Sequence, residues 1–407
     1  MLTRSAFLAL TASAVVAAKP AATQRAVTLG DDIFIREARR DLVGRTVGIV
    51  SNQSGVTSWG EPFIDAVVRD ASIAVKALFA PEHGIRGRAP AGASVASSID
   101  ATTGLPVRSL YGKTRRPTRE MLDGIDVLLF DVQDVGERAY TYISTMAYVM
   151  QSARAFGKEV WILDRPNPVG GEIVEGPVLD PAFSSFVGLY PIAMRHGMTV
   201  GELALLFNDR FNIGCDLRVI AMRDYRRSML WPDTGLTWVP TSPNIPTWET
   251  TLAYPATGLV SEAGLNNATG DVLPFKPFFL AGAYGLDGAR FAAALNAAKL
   301  EGVRFEAAAW TPRSGFWSGK TLTGVCLIIT DPKRFRAVRT AVVILVALRE
   351  TAPAFLRVRA RELDRDWGTD TLRLGLTGGM SAGAVEAQWT NDVRAFEAMR
   401  RPYLLYQ

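Results

Sequence analysis

Val127-Leu128-Leu129-Phe130-Asp131-Val132-Gln133-Asp134 begins as four unbroken apolar residues and ends in carboxylates and an amide. An apolar run without polar alternation suits a strand covered on both faces, because neither face meets water. Residues 46–50, 73–79 and 160–163 have the same form. They lead into Ser51-Asn52-Gln53, Glu82-His83-Gly84 and Asp164-Arg165-Pro166-Asn167. Residues 62–69, 117–122 and 141–155 between them read as helices. This alternation predicts a mostly parallel sheet with helices on both sides, a Rossmann-like α/β domain. In such a sheet the carboxyl ends of the strands lie along one edge, and ligands bind in the crevice outside it. One polar strand end reads as a cap or turn, but four together predict a functional cleft.

Further along, Thr199 with Glu202 three residues on forms a capping-box pattern for a helix over 199–208. Residues 231–255 are dense in Pro, Trp and Thr, which predicts an irregular stretch that lines a cleft or joins domains. A helix over 286–298, strands over 303–308 and 324–330, and helices beyond predict a second, smaller α/β domain. The expected division is a Rossmann-like catalytic domain over 27–240 and an auxiliary α/β domain over 241–407.

Residues 1–18 carry Arg4, a small apolar core and the ending Val16-Ala17-Ala18. That pattern predicts a cleaved secretory signal, hence an exported protein, periplasmic or secreted, with no integral membrane segment after cleavage. Of the 407 residues 48% are hydrophobic and 21% charged, enough apolar material for a large core. A formal charge of +5 suits an acidic polymer such as cell wall and does not support nucleic acid as a partner. Two cysteines and two histidines rule out a Cys-rich zinc site and a His-rich metal centre. Cys215 and Cys326, in or beside apolar runs, are expected to be free thiols.

Both histidines stand directly before glycine, as His83-Gly84 and His196-Gly197, and glycine lets a backbone turn sharply near a ligand. With Tyr111, Tyr140 and Tyr142 nearby in sequence, the polar strand ends have the composition of a sugar site. Glycoside hydrolysis needs a protonated carboxyl for the leaving oxygen and a second group for the opposite face of the ring. Glu82 is expected to be that acid, with His83 or a nearby Asp tuning it. Asp131 is assigned as a catalytic partner, while Asp134, Asp164, Glu175 and Glu262 remain candidates for the second group. Asn52, Arg86, Tyr111, Gln133, Asp134, Tyr142, Asp164, Arg165, Asn167, His196 and Asn244 are expected to hold the substrate. No metal ligand set is assigned.

Two other patterns compete. Gly379-Met380-Ser381-Ala382-Gly383 matches a nucleophile elbow, yet no histidine follows Ser381 and residues 372–377 make a poor strand. A flexible glycine-rich connection is expected there. His83-Gly84-Ile85-Arg86-Gly87-Arg88 has glycines and arginines suited to phosphate, but lacks the endings of a P-loop or dinucleotide fingerprint.

The runs Leu78-Phe79-Ala80-Pro81-Glu82-His83-Gly84-Ile85-Arg86-Gly87, Ser109-Leu110-Tyr111-Gly112, Phe130-Asp131-Val132-Gln133-Asp134-Val135-Gly136 and Thr141-Tyr142-Ile143-Ser144-Thr145 resemble the exo-β-N-acetylmuramidases of the NamZ/YbbC type. So do Asp164-Arg165-Pro166-Asn167-Pro168, Val174-Glu175-Gly176-Pro177, His196-Gly197-Met198-Thr199 and Ser242-Pro243-Asn244-Ile245-Pro246. The resemblance spans roughly residues 40–407. It implies release of N-acetylmuramic acid from non-reducing ends of peptidoglycan fragments, a cleft between a Rossmann-like and an auxiliary domain, no organic cofactor, and the catalytic glutamate role for Glu82. The chain departs from the family pattern at Gly92-Ala93, at Glu137 and Ala139, and over Glu262–Asp271. Two other function classes fit the same residues: a two-domain periplasmic sugar-binding protein without turnover, and a metal-dependent hydrolase using Glu82, His83, Asp131 and Asp134.

Overall fold

The computed structural model describes residues 26–270, 276–313 and 317–407, so the expected signal segment lies outside the described residues. Strands β1 (Thr46–Ser51), β2 (Ala74–Ala80), β3 (Ser98–Ile99), β4 (Pro106–Ser109), β5 (Val127–Asp131) and β6 (Glu159–Leu163) are followed by a β7 (Glu175–Val178) and β8 (Ala193–Arg195) pair and by β9 (Asp216–Ile220). Seven of them form one sheet in the order β3-β4-β2-β1-β5-β6-β9. All pairings are parallel except that of the short edge strand β3 with β4. Counting the parallel strands alone gives the doubly wound order 3-2-1-4-5-6, whose direction reverses between β1 and β5.

The apolar runs are buried because successive side chains face opposite layers. Val47, Ile49, Leu78, Val127 and Leu129 pack with α1 (Gly30–Arg36) and α2 (Phe63–Val68). Val50, Phe79, Leu128 and Phe130 pack with α3 (Tyr142–Phe156) and α4 (Val200–Arg210). The Thr199–Glu202 capping box begins α4 as its spacing predicts. Residues 117–122 do not make a helix: they form turns, because the only large apolar side chains, Met121 and Leu122, give no continuing face.

The stretch over 231–255 is less irregular than expected. It begins with a 3-10 turn, Trp231–Thr234, and ends within α5 (Trp248–Thr257), which tolerates Pro255 in its last turns. Beyond it, α6 (Gly288–Ala297) covers an antiparallel sheet of β10 (Leu280–Ala283), β12 (Leu322–Ile329) and β11 (Val303–Trp310), with β12 central, and α7 (Ala337–Thr351) packs against α6 and α5. Helices α8 (Ala360–Trp367), α9 (Thr371–Thr377), α10 (Ala382–Ala387) and α11 (Thr390–Arg400) follow. The glycine-rich segment proves to be a helix start: the Ser381 hydroxyl accepts the Ala384 amide, and residues 372–377 are helical.

Two sets of largely buried contacts tie the parts together. Arg138 Nη1 donates to the Pro177 and Ile192 carbonyls, and Nη2 to those of Asp366 and Trp367. Residues 390–406 return to the first sheet, where Arg400 donates to the carbonyls of Gly171, His196 and Gly197 and Tyr406 donates to Asp164. Gly197 is required at that contact: a Cβ there would stand 2.5 Å from Arg400 Nη1 and 2.9 Å from the Gly171 carbonyl. Cys215 and Cys326 are free. Among the described residues no helix is long and apolar enough to cross a membrane.

Candidate active site

The turn after β2 holds His83 at φ 69° and Gly84 at φ 80°, two left-handed residues in succession. For histidine this is a strained conformation, and it persists only where contacts compensate it. His83 Nδ1 meets the Ala89 carbonyl at 2.9 Å, so that nitrogen carries the proton, and the Ala89 amide donates back to the His83 carbonyl. The imidazole thereby closes loop 83–89 and orients the turn. Glu82 stands half-buried at its head. Its Oε1 accepts the Gly92 amide at 2.8 Å, and its Oε2 accepts the Thr141 hydroxyl at 2.9 Å. The Tyr111 hydroxyl lies beside the same carboxylate, and burial followed by that negative charge pushes its pKa up.

Next to Glu82, Tyr140 donates to Thr241 Oγ1 and Tyr142 to the Thr241 carbonyl, with the two rings edge to face at 4.9 Å. Burial pushes both hydroxyls above their usual range, so they are neutral donors. At the ends of β1 and β5, side chains are half satisfied. Asn52 Oδ1 accepts from Ser54, Gln53 Nε2 donates to the carbonyls of Pro240 and Thr241, and Gln133 Nε2 donates to those of Asp134 and Pro166. Their other polar atoms, Asn52 Nδ2, Gln53 Oε1 and Gln133 Oε1, are buried without hydrogen-bond partners, as is Asp134 Oδ1. Each such atom costs about 1–3 kcal/mol, and their concentration at the switch point marks where a polyhydroxylated ligand would supply partners.

The remaining predicted residues fall into hydrogen-bond and ion-pair networks, most of them buried. Arg165 grips Asp131 through two nitrogens at 2.6 and 2.9 Å and reaches Asp31 at 2.6 Å, with all three buried. Burial pushes the Asp31 and Asp131 carboxyls up, against the pull of Arg165. Arg86 is shared between Asp65 and Asp100, and hydrogen bonds from Arg86 hold Asp100 down at about 2. Asp164 accepts from Thr199, Gly201 and Tyr406, and is pushed up to about 6 by burial. Asn167 bridges Met198 and Val169. Asn244 Oδ1 accepts the Gly270 amide.

His196 Nδ1 accepts the Met198 amide, which leaves Nε2 facing Asp134 Oδ2 at 3.8 Å. Burial, with several arginines around it, pushes His196 down to about 3, so the ring is neutral. Asp134, pushed up to about 7 by burial, shares the surroundings of Tyr140 with Glu82. Glu175 accepts the Arg339 amide, and Glu262 pairs with Arg359. Among the described residues no three His, Cys, Asp or Glu side chains are grouped to hold a metal ion.

Sequence reasoning singled out Glu82, Asn52, Gln133, Tyr111 and Tyr142, which the structure brings to one edge. It missed Thr141, Gly92, Gln53, Thr241 and Asp31. Thr141 is the most legible of these in sequence, since it stands directly before Tyr142 in the run Thr141-Tyr142-Ile143-Ser144-Thr145.

A doubly wound sheet whose edge carries one half-buried glutamate, neutral tyrosine hydroxyls and unpaired amides is a Rossmann-like α/β fold with a polar cleft suited to a sugar. The chain belongs to the exo-beta-N-acetylmuramidase NamZ family, whose N-terminal model matches residues 47–249 and C-terminal model residues 252–406. It is 42% identical over 381 residues to the peptidoglycan beta-N-acetylmuramidase NamZ of Bacillus subtilis strain 168, covering 93% of this chain and 91% of that protein. Two crystal structures of DUF1343 family proteins from Bacteroides fragilis NCTC 9343 have the same architecture. One superposes with a TM-score of 0.87 at 33% identity and the other with 0.74 at 28%; each match covers 94% of this chain and 99% of that one.

Proposed function

We propose that the protein is an exported exo-acting glycosidase that removes N-acetylmuramic acid from the non-reducing ends of peptidoglycan fragments, with Glu82 as general acid. The observation that carries this reading is the placement of Glu82 at the sheet edge, each carboxylate oxygen oriented by one donor, beside Tyr111. Protonated Glu82 gives its proton to the glycosidic oxygen as the bond from that oxygen to the anomeric carbon breaks. Water adds to the anomeric carbon, and its proton passes to a second carboxyl. Asp134 supports that second role best, because Asp131 and Asp164 have their oxygens engaged elsewhere. Asp131 and Arg165 then act as positioning residues beneath the cleft, and His83 as the positioning residue of the Glu82 turn. Residues 27–240 serve as the catalytic domain and 241–407 as its auxiliary.

An aryl β-N-acetylmuramide tests the reading directly. Wild type releases the phenol, and Glu82→Gln lowers the rate about 10²–10⁴-fold. No release by wild type, or an undiminished rate for the variant, overturns it. Export is checked by sequencing the amino terminus of the mature protein, expected to begin after Ala18.

A further inference from the structure

Tyr111 touches two things at once. Its hydroxyl lies beside Glu82, and its ring meets Phe186 at 6.0 Å between centroids. Phe186 stacks on Tyr148 at 5.8 Å with 23° between the planes. An aromatic ridge therefore runs from the proposed acid to the surface. Two exposed guanidiniums lie on it: Arg115 is 4.0 Å from the Phe186 centroid and 5.3 Å from that of Tyr111, and Arg116 is 4.3 Å from that of Tyr148. Exposed Lys113 adds a third positive charge within four residues.

Among the described residues neither arginine forms a salt bridge, whereas Arg86 and Arg165, nearer the sheet, are each gripped by two carboxylates. A guanidinium resting on an aromatic face is partly ordered before any ligand arrives, and its edge still offers paired N–H donors to a carboxylate. The outer side of the ridge, where Arg115 and Arg116 stand exposed over the buried and half-buried rings, is the rim of the site. In an exo-acting enzyme one terminal sugar is enclosed, and the rest of the glycan leaves over the open rim.

We infer that Arg115 and Arg116 form an anion subsite on the leaving-group side, which binds a carboxylate carried by the glycan beyond the scissile bond. This rests on the exo-glycosidase reading above and adds a preference: acidic glycan fragments over neutral leaving groups.

The test uses two trisaccharides with the same scissile bond, N-acetylmuramyl-N-acetylglucosaminyl-N-acetylmuramic acid and its analogue in which the reducing-end carboxylate alone is a methylamide. The aryl β-N-acetylmuramide serves as a third substrate. The free acid is expected to have the lower KM with wild type, by about tenfold, and that advantage shrinks as salt rises. The pair Arg115→Gln and Arg116→Gln removes the advantage and leaves the aryl substrate unchanged. Replacing both by Lys restores part of it, because charge returns without the planar fork. Equal KM values for the two trisaccharides with wild type overturn the proposal, as does an equal loss on the aryl substrate in the double Gln variant. If wild type turns over none of the three, the glycosidase reading fails by itself. Calorimetry of the two trisaccharides then decides the subsite: tighter binding of the acid, abolished in the double Gln variant, supports it, and equal binding refutes it.

Discussion

Thr141 donates its hydroxyl to Oε2 of Glu82 across 59 residues of sequence. Although Thr141 stands at the N-cap of α3, its side chain makes no capping bond, so the hydroxyl serves the carboxyl. With Glu82 acting as a neutral acid, this hydrogen bond orients the carboxyl and is worth about 0.5–1.5 kcal/mol. Thr141→Val should therefore lower kcat on the aryl muramide by up to about tenfold with KM nearly unchanged, while Thr141→Ser retains most of the rate. A change in KM alone would assign Thr141 to substrate binding instead.

Glu137 makes stability depend on pH. Burial pushes its carboxyl up to about 8 from 4.5, so between those values the folded state holds a proton that the unfolded chain has lost. That stabilisation is complete below the lower value and is lost as pH rises through the upper one. Each such group contributes a slope of up to about 1.4 kcal/mol per pH unit. His196, held down at about 3 from 6.5, acts in the opposite sense at acid pH, so the window from 6.5 to 8 isolates the carboxyls. Urea unfolding across that window should show wild type losing stability as pH rises. Glu137→Gln should have a shallower slope, whatever its offset, and an unaltered slope would contradict the assignment.

Tyr406 donates to Asp164 Oδ2 at 2.6 Å and accepts the Met222 amide at 2.9 Å. Phenylalanine there leaves a buried carboxylate short of a donor, at a cost of about 1–3 kcal/mol. Thermal unfolding of Tyr406→Phe should move down by several degrees, while the rate on the aryl substrate at 25 °C stays within about twofold of wild type.

Ser381 caps α10 and has no imidazole partner. Ser381→Ala should cost about 1 kcal/mol of stability and leave glycosidase activity intact. A fluorophosphonate probe should not label this serine, and labelling abolished by the substitution would revive the nucleophile-elbow reading.

The sheet was legible because β1, β2, β5 and β6 are buried on both faces and read as apolar runs. The edge strands β3 and β9 and the neighbouring β4 were not, since they are short and partly exposed, and the buried β7–β8 pair is too short, at four and three residues, to show a pattern. Helix α5 was hidden by Pro255. At the site, the strand ends announced where polar groups gather, but not which of them were already engaged. Arg86 and Arg165 read as substrate ligands, and their partners lie at positions 65, 100, 31 and 131. Such pairings are created by folding and leave no local spacing to detect. Glu82 stood out because its turn also needs His83 and Gly84, a conspicuous local combination.

Arg138 has a mechanical consequence. Moving α8 away from the β7–β8 pair would strip the Asp366 and Trp367 carbonyls from a buried guanidinium, while burial has already pushed that cation down to about 10. A protein that captures ligands by clamping shut needs a joint that bends cheaply, and this joint is riveted. Tyr254 of α5 and Tyr140 beside Glu82 touch edge to face at 6.1 Å between centroids, so the same rivet also fixes the aromatic wall next to that carboxyl.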